Sequence, residues 1–260
     1  MLRRLTTLGV AIGALLVASP ASAQQAGKAF GDQGEFIFGA DRLFGLFAFT
    51  QNQFTSGGNT ITVTGTDMAF FGGLNSASVG SNAAGAAFVA GNPTFYNVPR
   101  LGFDYTIIPN LTVGGEVIAF FTLGGSTSFN NAPSQNNAGG NAFGVAPRVG
   151  YIFNLSDVFA IWPRGGFSYY DANYSLQNVQ FNRCNDTANA NVFGLDIDPV
   201  LTISPVQHFA FMVGPSLDWG FTGGASATTP QNTDCSQTQT RSYNYTAINF
   251  DINAGLLGWF

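Results

Sequence analysis

Chemistry in this chain has to come from few groups, because only 9 % of its 260 residues are charged and it holds a single histidine. The candidates are Arg100, Arg148 and Arg164, the acids Asp104, Glu116, Asp196, Asp198, Asp218 and Asp251, the cysteines Cys184 and Cys235, and His208. A hydrolase built on a serine or an acid needs an imidazole within hydrogen-bond reach as its general base. His208 stands alone in the turn-like stretch SPVQHFAF, and a lone turn histidine is ordinarily solvated. No His/Cys cluster has the spacing of a metal site. Neither an enzyme nor a cofactor nor a metal is therefore expected. Nucleic acid is excluded as a partner by the formal net charge of −5 and the absence of a Lys/Arg cluster beyond the first few residues. What remains for the arginines and acids is to pair with one another, if the elements that carry them bring them together.

Those elements begin after a leader. Arg3 and Arg4, an apolar core from Leu8 to Val17 and the small residues Ala21-Ser22-Ala23 read as a secretory signal peptide over 1–23, cleaved before Gln24. Residues 24–33 read as a short polar tail, and 34–260 as one domain. No later run of about 20 apolar residues offers a spanning helix. The low charge suits a wall that shows lipid to every second residue and hides the rest.

Three hairpins are built alike. Pro99–Ile107 turns at Pro109-Asn110 into Leu111–Phe121; Phe143–Phe153 turns at Asn154–Asp157 into Phe159–Tyr170; Phe193–Ile203 turns at Ser204–Gln207 into Phe209–Phe221. Between them lie long polar segments, Leu123–Ala142, Asp171–Asn191 and Thr222–Ser242, dense in Asn, Gln, Thr and Gly. Short turns alternating with long loops indicate an antiparallel up-and-down barrel. With a first strand in Gly34–Thr50 and a last in Tyr245–Phe260 the strands number eight, so the expected fold is an all-β, eight-stranded transmembrane β-barrel. Gln51–Asn97 reads as an external loop whose Thr60–Phe71 portion continues as a hairpin; counting that portion into the wall gives ten strands as the alternative. In the first strand Phe36, Phe38, Ala40 and Phe44 share a face with Arg42, so either a bulge shifts the register near Asp41 or Arg42 snorkels to an interface.

Parity sorts the charges. Leu101, Phe103, Tyr105 and Ile107 oppose Arg100 and Asp104; Phe193, Leu195 and Ile197 oppose Asp196 and Asp198; Phe211, Leu217, Trp219 and Phe221 oppose Asp218. A lipid-facing charge at the midplane costs about 2–4 kcal/mol, so the charged face is the lumen. A soluble barrel would reverse the faces and crowd its aromatics into a bore that barely admits side chains.

The closing strand YTAINFDINAGLLGWF, with Asn253, Gly255 and the terminal Phe260, and the phrases ADRLFG, PRLGFDY, APRVGY and WPRGGFSYY resemble the small bacterial outer-membrane β-barrels, the superfamily of OmpA-like, OmpX-like and OmpW-like barrels. Gly258 departs from that family's closing pattern, where a large apolar residue is usual. The resemblance implies that Asn253, Gly255 and Phe260 form the signal read by the barrel assembly machinery. It also implies an outer-membrane location with periplasmic termini and extracellular loops, and contact with lipid and lipopolysaccharide. It supplies no substrate; small solutes and surface glycans stay open as partners.

In an oxidising compartment Cys184 and Cys235, in neighbouring long loops, are expected to form a disulfide. In the lumen, adjacent strands set Arg148 beside Glu116, Arg164 beside Asp196 or Asp198, and Arg100 beside Asp104 or, register allowing, Asp41. Inward glycines at Gly102, Gly150, Gly166 and Gly194 leave room for these side chains. The resulting expectation is a porin-like barrel in the broad sense whose narrow lumen is plugged by paired charge, with a structural or surface-interaction barrel as the alternative.

Overall fold

A computed structural model describes residues 30–68, 98–122, 125–127, 135–137, 139–177 and 184–260. The signal peptide, the first residues of the tail and most of the first long loop lie outside the described residues. Twelve strands follow in order: β1 (Phe36–Ser56), β2 (Asn59–Met68), β3 (Arg100–Ile108), β4 (Leu111–Thr122), β5 (Gly125–Thr127), β6 (Gln135–Asn137), β7 (Gly139–Tyr151), β8 (Phe153–Asn154), β9 (Phe159–Gln177), β10 (Asn185–Val206), β11 (Phe209–Pro230) and β12 (Thr238–Trp259). Eight of them close a ring, β1-β3-β4-β7-β9-β10-β11-β12 and back to β1, each antiparallel to its neighbours. β2 pairs with the far half of β1 from Phe47↔Met68 to Ser56↔Asn59, so Asn59–Met68 extends the wall at the long-loop end and the barrel has eight strands, not ten. β8 only lengthens a short turn, and β5 with β6 forms a separate two-stranded sheet.

The wall alternates as the parity reading requires. Phe103, Phe143, Phe167, Phe193, Ile197, Phe211 and Trp219 are exposed on the outside, whereas Arg100, Glu116, Arg148, Arg164, Asp196 and Asp218 are buried inside. Polar interior and apolar exterior is the inverse of a soluble barrel, and it fits a wall whose solvent is lipid.

Strands on one side run far past that belt. β10, β11 and β12 have 22 residues each, while a tilted strand crosses the bilayer in about 9–11. Most of Asp171–Asn191 and Thr222–Ser242, expected as loops, is strand. Here polarity inverts: Ala188, Ala190, Val192, Ala225, Ala227 and Ala247 are buried inside, while Asn189 and Asn191 face out and bond across to Ser226 and to the backbone N–H of Gly224. The extension of β10 beyond Phe193 rises about 20 Å at the usual rise and tilt.

Glycine permits the tight curvature. A Cβ on Gly166 would lie 1.9 Å from the carbonyl oxygen of Pro147 and one on Gly194 2.5 Å from that of Trp219, so both serve backbone approach. Gly102 and Gly150 do leave room for side chains, because a Cβ there would meet Arg148 at 2.8 Å and Trp162 at 2.5 Å.

Candidate functional site: a charged layer sealed in the lumen

The first strand delivers two charges inward by breaking its own alternation. Pairing of β1 with β12 shifts between Ala40 and Phe44, and Arg42 there takes a positive φ of 55°. This bulge turns both Asp41 and Arg42 into the lumen, where they are 3 % and 4 % exposed. Of the two options for Arg42, the bulge is the one adopted.

Four arginines and seven carboxylates thus meet at one level: Arg42, Arg100, Arg148 and Arg164 with Asp41, Asp104, Glu116, Asp196, Asp198, Asp218 and Asp251. Arg42 spans four acids, reaching Asp218 at 2.7 Å, Asp198 at 3.2 Å, Asp251 at 3.3 Å and Asp196 at 3.4 Å. Arg100 donates to Glu116 at 2.9 Å, to Asp218 at 3.0 Å and to Asp196. Arg148 holds Asp104 through two nitrogens, Nη2 at 2.6 Å and Nε at 3.1 Å, and also reaches Asp41 at 2.9 Å and Glu116. Arg164 reaches Asp41 at 3.0 Å and Asp198 at 3.6 Å. The expected neighbours Arg148/Glu116 and Arg164/Asp198 are therefore together. Arg100 corrects the third expectation: it pairs with neither Asp104 nor Asp41 but with Glu116 on the adjacent β4 and, across the bore, with Asp196 on β10 and Asp218 on β11, because Arg148 already occupies Asp104. Asp251 is further bonded by Asn249 at 3.0 Å, Asn253 at 2.6 Å and Ser216.

Apolar layers cover this level on both sides. Towards the long loops lie Phe54, Val63, Val98, Ile118, Tyr170, Tyr245 and the alanines of the extension. Tyr170 faces Arg100 at 5.5 Å and bonds Asp218 at 3.3 Å. Towards the short turns lie Phe30, Ile37, Ile152, Trp162, Met212, Leu257 and Trp259, with the Trp162 ring 4.7 Å from the Arg164 guanidinium.

Phe30 belongs to the segment expected as a polar tail. Its ring is 7 % exposed and sits 5.7 Å from Trp162 and 5.0 Å from Trp259. The backbone around it is tied to the turns: the N–H of Asn110 donates to the Gly31 carbonyl at 2.7 Å and the Asn154 side chain to the Phe30 carbonyl at 2.9 Å. Gly31 holds φ at 100° and its N–H donates to Glu35 at 2.9 Å. Residues 30–33 thus fold under the barrel as its floor. The polarity of Gly31, Asp32 and Gln33 concealed this, and Phe30 was the one apolar signal.

The layer's chemistry is ion pairing, with carboxylates in excess of arginines. Glu116, Asp196 and Asp198 bring oxygens within 4.8 Å of one another, a spacing that could hold a metal ion. Each of the three is already engaged by two arginines, so guanidinium groups stand where a cation would. His208 lies in the β10–β11 turn with φ 65°, donates from Nδ1 to the Trp259 carbonyl at 2.8 Å and stacks on Phe260. It stands at the short-turn end of the barrel rather than in the charged layer. Asn253, Gly255 and Phe260 divide in the folded barrel. Asn253 bonds Ser216 at 3.0 Å, Gly255 lets the Ala40 carbonyl approach to 2.4 Å of a Cβ position, and Phe260 is exposed.

Outside the bore, Cys184 and Cys235 form the expected disulfide, with Cα atoms 5.7 Å apart. It ties the start of β10 to the connection between β11 and β12. Beside it the Ser236 hydroxyl donates to Asp234 and, with the Ser236 backbone N–H, holds that carboxyl below the usual range.

No family model matches the chain, and no curated protein matches it. Among solved structures it is similar to the outer membrane protein AlkL in DMPC lipid bilayers, with 10 % identity, TM-score 0.42, and coverage of 91 % of this chain and 94 % of that one. It is also similar to Ail, the attachment invasion locus protein of Yersinia pestis, with 10 % identity, TM-score 0.34, and coverage of 86 % and 99 %. The same protein in complex with the heparin analogue sucrose octasulfate gives TM-score 0.33 at the same identity and coverage. The closed ring of eight strands stands on this chain's own register, and it is the fold that the sequence resemblance implies.

Proposed function

We propose that this chain is a non-enzymatic outer-membrane barrel that is closed at rest, and that its work lies in its wall and its outward extension rather than in transport. The observation that carries this reading is the stacking of three filled layers along the bore, an apolar floor, a charged middle and an apolar roof. An eight-stranded barrel has little free bore to begin with. Arginine–carboxylate pairs that are 0–7 % exposed leave no continuous water path at their level.

In this reading the short turns and both termini face the periplasm and the long connections face outward. The outer ends of β10–β12, stiffened by the disulfide, stand above the lipid as a sheet whose outer face offers Asn, Ser and Thr rather than charge. That surface suits hydrogen bonding to the sugars of lipopolysaccharide or of other surface glycans. The terminal strand, with Phe260 exposed, is the contact for the assembly machinery.

A porin-like gate is the second reading, favoured by the excess of acids over arginines, which would prefer cations if the layer ever parted. Single-channel recording in planar bilayers separates the two. The expected result is silence or rare brief openings; a large steady conductance would overturn the closed reading.

A further inference from the structure

The ladder between β10 and β11 keeps one register, Ile197↔Leu217 on one side and Leu201↔Val213 on the other, yet no pair forms between these. At the centre of the gap that register sets Pro199 opposite Pro215. Neither residue has an N–H to donate. On their other flanks both prolines sit in continuous runs of pairs, Pro199↔Pro163 towards β9 and, between Phe209↔Gly258 and Gly220↔Ala247, Pro215↔Ile252 towards β12. The backbone of both is therefore aimed at the β10–β11 ladder, at the position where an ordinary antiparallel pair exchanges two hydrogen bonds.

Proline inside a sheet is confined to edges and bulges as a rule, because the missing donor leaves a carbonyl without its partner, and in lipid no water replaces it. Here two prolines face each other within a closed wall, exposed on its outer side. The strands still touch: a Cβ on Gly214 would lie 2.5 Å from the Pro199 carbonyl oxygen. Immediately inside the gap are Asp198 and Ser216, members of the charged layer.

We propose that the Pro199/Pro215 pair is a built-in weak seam, a place where the wall of the folded barrel opens locally while the ladders on its two flanks, β9–β10 and β11–β12, stay closed at that depth. The strands then part between Ile197 and Leu201 on β10 and between Val213 and Leu217 on β11. The device is a property of the wall and is independent of whether the lumen conducts.

Residue-resolved amide exchange in detergent micelles or nanodiscs tests it with an internal control. By the alternation of an antiparallel ladder the amides of Ile197, Leu201, Val213 and Leu217 point into the seam, while those of Val200 and Gly214 at the same depth point to β9 and β12. The seam amides are expected to exchange about tenfold faster than their controls, the effect of the two absent hydrogen bonds. Pro199→Val with Pro215→Val returns both donors; it should slow the seam amides to the control rate and raise the unfolding temperature. Pro163→Val, which faces away from the gap, should leave them fast. Equal exchange of seam and control amides in the wild type would overturn the proposal without any variant, as would seam amides that stay fast in the double variant.

Discussion

Removing each buried arginine in turn should cost very different amounts, because the four differ in what they leave behind. Arg148 is the arginine paired with Asp104 among the described residues, and Asp104 receives from it both of the bonds that hold its carboxylate. Arg148→Ala therefore strands a carboxylate that is 4 % exposed, and breaking a buried pair from one side costs about 3–5 kcal/mol. Arg42→Ala takes the cation from Asp251, but Asn249, Asn253 and Ser216 still donate to it, which should hold the loss to about 2–3 kcal/mol. Arg100→Ala strands nothing, since Glu116 keeps Arg148 while Asp196 and Asp218 keep Arg42. Arg164→Ala strands nothing either, since Asp41 keeps Arg148 and Asp198 keeps Arg42. These last two should cost about 1–3 kcal/mol, the worth of charged hydrogen bonds and packing. Denaturant unfolding in micelles, followed by tryptophan fluorescence and by the gel mobility of unheated samples, gives the order. Asp104→Asn placed on Arg148→Ala should recover part of the loss, because the stranded charge is gone. Equal costs for all four, a largest cost at Arg164, or no recovery by Asp104→Asn would refute the network reasoning.

Opening the disulfide with Cys184→Ser and Cys235→Ser should lower stability by about 2–4 kcal/mol and raise proteolysis between residues 230 and 238, with the lipid-facing belt still folded; unchanged proteolysis would count against its role as a brace. Phe30→Ala should cost about 3 kcal/mol, as for a buried aromatic truncation, whereas a free tail would show no change in unfolding. Gly166→Ala should be among the most damaging one-carbon changes in the wall, because its Cβ would stand 1.9 Å from the Pro147 carbonyl; a fully folded, equally stable variant would mean the strands can part there at little cost.

Strand parity was legible because every second residue answers to one solvent: Arg100, Glu116, Arg148, Arg164, Asp196, Asp218 and Asp251 could be placed inward by counting alone. Their partners were harder. Side-by-side reasoning finds neighbours on adjacent strands, as for Arg164 and Asp198, but a narrow bore lets a long side chain cross it, as Arg100 does to reach Asp196 and Asp218. Arg42 was half legible, its parity conflict pointing to a bulge without saying which way the side chain would turn. The outward extension was hidden by composition. Asn, Thr, Gly and Ala read as loop, and the signal that could have shown strand was the spacing Ala188-x-Ala190-x-Val192 with Ala225-x-Ala227, small apolar residues every second place. Phe30 was missed because a single aromatic in a polar stretch carries no period.

Polarity along each long strand changes twice inside the bore, and that sequence of layers decides what opening it would take. On β10 the inward residues run Val192, Gly194, Asp196, Asp198, Val200; on β9 they run Tyr170, Ser168, Gly166, Arg164, Trp162. Removing charge from the middle therefore creates a polar void capped at both ends by apolar side chains, which admits water poorly and conducts no ions. Arg148→Ala with Arg164→Ala alone should lower thermal stability yet remain nearly silent in planar bilayers. Adding Phe30→Ala takes away the floor residue that fills the space between Trp162 and Trp259, and Tyr170→Ala with Tyr245→Ala takes away the large side chains of the roof; only the variant that combines all of these should show openings. With carboxylates in excess in the layer, the current should favour cations. Planar-bilayer recording of the wild type, the double variant and the combined variant, with reversal potentials in a salt gradient, measures each step. A double variant that conducts as well as the combined one would show that floor and roof do not seal the bore, and an anion preference would contradict the inward placement of the acids.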